Sequence, residues 1–100
     1  MKIQIESVHF DADVKLTDFI QSKLDKLDVF FDRIIDGRVI LRLEQNGKVQ
    51  DKIAEVILRV PGDVLVSKGT QKSFESAVDG AAESMRRQLI KHKERISASH

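Results

Sequence analysis

The sequence predicts an α/β (α+β) two-layer sandwich of order β-α-β-β-β-α, with a four-stranded mixed sheet carrying both helices on one face. Three observations predict it. Four segments alternate apolar and polar residues at the period of a half-buried strand. Two others repeat apolar residues at spacings of three and four, which gives each helix a single stripe. The chain has 100 residues, 41% hydrophobic and 33% charged, which is one core's worth of apolar side chain under a charged surface. One-striped helices and a sheet with one apolar face must cover each other.

The first strand runs from Lys2 to Val8, with Ile3 and Ile5 on one side and Lys2, Gln4 and Glu6 on the other. Asp13 is placed to cap the helix that follows, its carboxylate accepting from first-turn N–H groups. That helix is predicted over Val14 to Phe31, with Leu16, Phe19, Ile20, Leu24, Leu27, Phe30 and Phe31 in its stripe. Asp18, Asp25, Asp28 and Asp32 gather on the opposite, solvated face, while Lys15 and Lys26 lie along one edge. Lys23 falls inside the apolar arc, where its stem packs and its ammonium must reach water or an anion. Asp36-Gly37 reads as a turn, and Arg38 to Glu44 as a strand facing inward through Val39, Leu41 and Leu43. Asn46-Gly47 marks a tight hairpin before the strand Asp51 to Val60, whose Ala54, Val56, Leu58 and Val60 share a side. Pro61-Gly62-Asp63 makes a second hairpin into a strand from Val64 to Gly69. Ser73 caps the last helix, whose stripe passes through Phe74, Ala77, Val78, Ala81, Met85 and Leu89 to about Ile96. Ala81-Ala82 allows a close approach. The strand–helix–strand opening implies a parallel pair joined by a right-handed crossover. Residues 1–96 are expected to form one domain, with 97–100 a frayed tail and Leu24, Leu27, Val56, Leu58, Ala81 and Met85 in the core.

The chemistry on offer is thin. There is no cysteine, hence no disulfide, thiolate metal site or thiol nucleophile. His9, His92 and His100 share no metal-ligand spacing, and neither a G-x-S-x-G turn nor a phosphate-binding G-x-x-x-x-G-K-[ST] loop is present. Asp11 and Asp13 are a conceivable cation pair, but capping and turn formation account for them. No apolar run reaches the roughly 20 residues that span a bilayer, and the amino end is charged where a signal peptide is apolar. The expectation is a cytoplasmic protein that is not an enzyme and takes no cofactor, metal or small-molecule substrate.

Charge is more informative once divided. Arg86, Arg87, Lys91, Lys93 and Arg95 face only Glu94 in their segment, so it is +4 in a chain of net charge +1. Arg87 and Lys91 lie opposite the apolar stripe, and Arg86 and Lys93 along one flank. One reading is a solvated helix end, where cations favour the negative dipole pole. The other is a strip that meets phosphates. With no Tyr or Trp, and five Phe mostly at core positions, contacts to phosphate and shape are expected, not base stacking.

Phe19, the run Lys23-Leu24-Asp25-Lys26-Leu27, then Phe30-Phe31-Asp32-Arg33-Ile34, and later Ala77-Val78-Asp79-Gly80 and Arg86-Arg87-Gln88-Leu89-Ile90-Lys91-His92-Lys93, sit in this element order. Together they resemble the ribosome hibernation-promoting factor and ribosome-associated inhibitor family, also labelled the sigma modulation family, over essentially the whole chain. The resemblance implies a stress or stationary-phase translation inhibitor that binds the small ribosomal subunit. Such proteins occupy the channel for mRNA and the aminoacyl- and peptidyl-site tRNAs, and silence the ribosome by occupancy. Carried over by position, the rRNA-binding residues are Lys23, Lys26, Arg86, Arg87, Lys91 and Lys93. Six such contacts put the log–log salt slope of binding at roughly −4 to −5. The chain matches the short form, expected to be monomeric, so ribosome pairing falls to another factor. The residues also leave open a general double-stranded RNA-binding module, and a protein-interaction module whose basic helix meets an acidic partner.

Overall fold

The computed structural model describes residues 1–98, and the order of elements is the expected one. Strand β1 is Ile3–Ser7, helix α1 is Val14–Asp25, β2 is Asp36–Asn46, β3 is Val49–Val60, β4 is Asp63–Gln71 and α2 is Phe74–Ala98. The strands lie in chain order, β1-β2-β3-β4, with β1 parallel to β2 and the other neighbours antiparallel. Alternation sets which side each residue faces. Val39, Leu41, Ala54, Val56, Leu58 and Leu65 enter one buried cluster with Leu16, Ile20, Leu24 and Leu27 of the first helical segment and Val78, Ala81, Met85 and Leu89 of α2. Both helices therefore cover one face.

Asp13 caps α1 as its sequence position predicts, accepting from the Leu16 N–H at 2.8 Å. The first helix is shorter than predicted. Regular α geometry ends at Asp25, and Lys26–Val29 form a single 3-10 turn instead. No glycine follows to provide a left-handed cap, so tighter bonds occupy the last carbonyls, with Phe30 N–H donating to Leu27 at 3.0 Å. Phe30 and Phe31 lie beyond the helix, although Phe31 still reaches the core.

Asp36 and Gly37 are not a turn but the first residues of β2, Gly37 pairing with Leu58. The hairpin after it is centred on Gly47 and Lys48, with Asn46 paired to Val49 and Gly47 at φ 62°. Glycine at the first central position sets the twist that a two-residue connection needs. In the next hairpin Val60 pairs with Asp63, and Gly62 follows Pro61 at the second central position, where φ 80° suits the positive φ that a Pro-Gly turn needs. At the helix end of the hairpin side, the Phe10 ring stacks on Phe74 with centroids 4.9 Å apart, pinning the loop before α1 to the start of α2.

Helix α2 sits very close to the sheet. A Cβ added at Gly69 would lie 1.9 Å from the Ala77 carbonyl oxygen and 3.0 Å from the Ala81 nitrogen. The neighbouring Ser67 hydroxyl donates to the Ala81 carbonyl at 2.8 Å, and the Gln88 amide donates to Val66 on the edge strand at 2.7 Å. The helix also continues to Ala98, past Ile96; the remaining tail residues, Ser99 and His100, lie outside the described residues.

The other sheet face carries no helix among the described residues and is balanced in charge. Cross-strand ion pairs join Arg38 to Glu6, Arg42 to Glu55 and Arg59 to Asp36 around Ile40, Ile57, Val64 and Val66. No helix among the described residues is long and apolar enough to cross a membrane.

Candidate nucleic-acid interface

The two helices run side by side in the same direction, since Lys23 meets Asp79 and, further along the chain on both sides, Phe30 just past the 3-10 turn meets Arg86 of α2. Their carboxyl ends therefore point the same way, and with them the negative poles of both helix dipoles. Cations collect at that end. Helix α2 has 25 residues, about 37 Å of rigid support, and outruns α1 there.

The six predicted cations do not share one face. Lys23 is half-buried in the seam between the helices, its Nζ 2.9 Å from Asp79 Oδ1 and 5.6 Å from the centre of the Phe19 ring. Arg86 occupies the same seam. Its Nε donates to Glu83 Oε2 at 3.0 Å, a second guanidinium nitrogen donates to the other oxygen, and the group lies 5.7 Å from the Phe30 ring centre. Lys93 continues this line toward the end of α2, beside an open cleft shared with Val29, Phe30 and Ile90. Arg87 and Lys91 are exposed on the outward side of α2. Lys26 stands on the 3-10 turn, near Asp18, Ser22 and Asp25 on the outward side of the first helical segment.

Electrostatics separates these six into two classes. The Arg86 guanidinium, by hydrogen bonding first and charge second, holds the Glu83 carboxyl below its ordinary value against a desolvation that raises it. Both Lys23 and Arg86 are already matched by a carboxylate in the free protein. Lys26, Arg87, Lys91 and Lys93 make no ion pair among the described residues, so of the six they are the ones whose positive charge is unspent.

Three features of the site escape a reading by composition. Asp79 and Glu83 are its hidden counter-charges; Glu83 was legible from its i,i+3 spacing to Arg86, whereas Asp79 meets Lys23 only through the fold. Phe19 and Phe30 are half-buried, not sealed in the core, and each lies beneath a cation. The acidic face of the first helix is also less idle than expected, because Asp25 and Asp28 hold the Met1 ammonium at 3.0 and 2.9 Å. Among the described residues, no three His, Asp or Glu side chains are grouped to hold a metal ion.

The family model described as Sigma 54 modulation protein / S30EA ribosomal protein matches residues 3–97. A ribosome hibernation promoting factor of Pseudomonas putida is 33% identical over 95 residues, covering 95% of this chain and 89% of that protein. The protein of the same name in Azotobacter vinelandii is 35% identical, with 95% and 85% covered. The one in Escherichia coli K12 is 28% identical over 96 residues, with 96% and 97% covered. Among solved structures, a ribosomal subunit interface protein from Coxiella burnetii superposes with a TM-score of 0.83 at 22% identity, covering 94% of this chain and 99% of that one. The N-terminal domain of Thermus thermophilus Protein Y gives 0.80 at 22% identity, with 92% and 99% covered. Both share the fold.

Proposed function

The chain belongs to the Sigma 54 modulation protein / S30EA ribosomal protein family, and from that premise we propose that it is a ribosome hibernation factor that silences translation by occupying the small subunit. The two-helix layer enters the channel that mRNA and the aminoacyl- and peptidyl-site tRNAs use. Lys23, Lys26, Arg86, Arg87, Lys91 and Lys93 meet rRNA phosphates. The protein acts as a monomer in the cytoplasm and turns over no substrate. One observation carries the reading. Four cations without carboxylate partners stand on two packed helices, rigid enough to present fixed charge to a folded RNA backbone.

The paired state of Lys23 and Arg86 changes the expected salt dependence. Only four cations bring net charge to the interface, so log affinity for purified small subunits should fall with log salt at a slope of roughly −3 to −4. Co-sedimentation across a potassium chloride series measures it. The double substitution Arg87→Glu and Lys91→Glu should abolish subunit binding with an unchanged melting temperature, because both side chains are exposed. Equal binding by that variant, or equal affinity for a plain RNA duplex, would remove the support for this function.

A further inference from the structure

Arg33 stands outside both helices, in the stretch that follows the 3-10 turn, where helical charge patterning passes over it. Among the described residues Arg38, Arg42, Arg59 and Arg86 are each paired with a carboxylate, of Glu6, Glu55, Asp36 and Glu83 in turn. Arg33 is exposed and makes neither an ion pair nor a hydrogen bond among the described residues, so its N–H donors have no acceptor in the free protein. An arginine in that state ordinarily keeps its rotamer freedom and surrenders it on binding. Arg33 has a seat. Its guanidinium carbon lies 5.7 Å from the centre of the Phe31 ring. Phe31 is only 4% exposed and meets the His92 ring edge-on, with centroids 5.2 Å apart. Two ring contacts thus tie Arg33 to α2 at His92, the residue between Lys91 and Lys93.

A guanidinium resting on a ring face keeps its edge free, and that edge is a flat fork of N–H groups. The fork matches two oxygens of a phosphate or of a carboxylate. The neighbours decide between them. Arg33, Lys91, Lys93 and Arg95 outnumber Asp32 and Glu94 in these two stretches of chain, and repeated positive charge suits a polyanion. Resting on the ribosomal RNA reading above, we infer that Arg33 is a further rRNA contact, a phosphate clamp outside both helices. Phe31 is its positioning residue, backed by His92. Arg33 adds a fifth cation that brings net charge to the interface. The binding surface then wraps from the outward side of α2 around the carboxyl end of the helical layer.

Arg33→Met removes the charge and keeps a stem long enough to cover Phe31. It should weaken binding to purified small subunits about tenfold, the worth of one hydrogen bond to a charged group. It should also make the log–log salt slope shallower by about 0.7 to 0.9, one phosphate's share. Arg33→Lys should restore the slope, because the charge returns, and only part of the affinity, because a point charge lacks the fork. Both variants should unfold at the parent's urea midpoint. If Arg33 merely covers Phe31, Arg33→Met keeps the parent's slope, whether or not the midpoint falls, and that result overturns the inference. So does an Arg33→Lys protein whose slope is as shallow as that of Arg33→Met, since the missing quantity would not be charge. Arg87→Glu with Lys91→Glu, run alongside, separates the two readings. If it loses subunit binding while Arg33→Met keeps the parent's slope, the ribosomal reading stands and the clamp alone falls. If it binds normally, the ribosomal RNA reading falls, and the clamp with it.

Discussion

Single residues decide how tightly the two layers meet. Gly69 lies under the Ala77 carbonyl, and a methyl group there would sit 1.9 Å from that oxygen. Backbone cannot swing aside as a side chain can. Gly69→Ala should therefore lift α2 from β4 and cost about 1–3 kcal/mol or more, read as a lower midpoint in urea unfolding. Gly37→Ala is the contrast: its new Cβ would meet chiefly the Leu58 Cδ2 atom at 2.9 Å, a movable end, and the loss should be smaller. At the interface, Glu83 offers a titration. Its carboxyl is held down by the Arg86 hydrogen bonds, so the pair helps the fold at pH above the ordinary Glu value and loses that effect as acid protonates Glu83. Carbon-detected NMR of the side-chain carboxyl should give a midpoint below that of an ordinary glutamate, and Arg86→Ala should return it upward.

At the scale of elements, the seam between α1 and α2 stores two cations behind two carboxylates. Asp79→Asn with Glu83→Gln frees Lys23 and Arg86 without moving a helix. Subunit binding should tighten, and its log–log salt slope should steepen to roughly −4 to −5, the value for six unmatched contacts. An unchanged slope would show that Lys23 and Arg86 never meet phosphate. The elements themselves were readable because burial imposes a period. Leu24, Leu27, Val56, Leu58, Ala81 and Met85 are all buried as expected. What period alone misses is physical too. His92 takes a stripe position between Leu89 and Ile96 and is only 7% exposed, its ring edge-on to Phe31, but its polarity hid it. The 3-10 turn at Lys26–Val29 was hidden because its residues keep the helical spacing of Leu24 and Leu27. Of the candidate site, the cations were legible as charge on a helix flank; their partners were not, because a contact across a seam has no sequence spacing.

Taken whole, the protein is a slab of 52 × 27 × 18 Å with one balanced sheet face and one cationic helical end. A blocker of that form inhibits by filling sites. In a cell-free translation reaction, activity should fall linearly with added protein and reach its floor at one copy per small subunit. Complete inhibition at a few per cent of that ratio would point to turnover instead. The strands, lying in chain order, have a consequence for how the molecule is made. Each hairpin joins consecutive strands, and only the β1–β2 pairing must wait for a helix to cross over. Loop closures are short, and the entropy lost before native pairings form is correspondingly small. Diluted from denaturant, the chain should regain its structure in one exponential phase within milliseconds to tens of milliseconds, in the range of mixed α/β domains, and stopped-flow circular dichroism would time it.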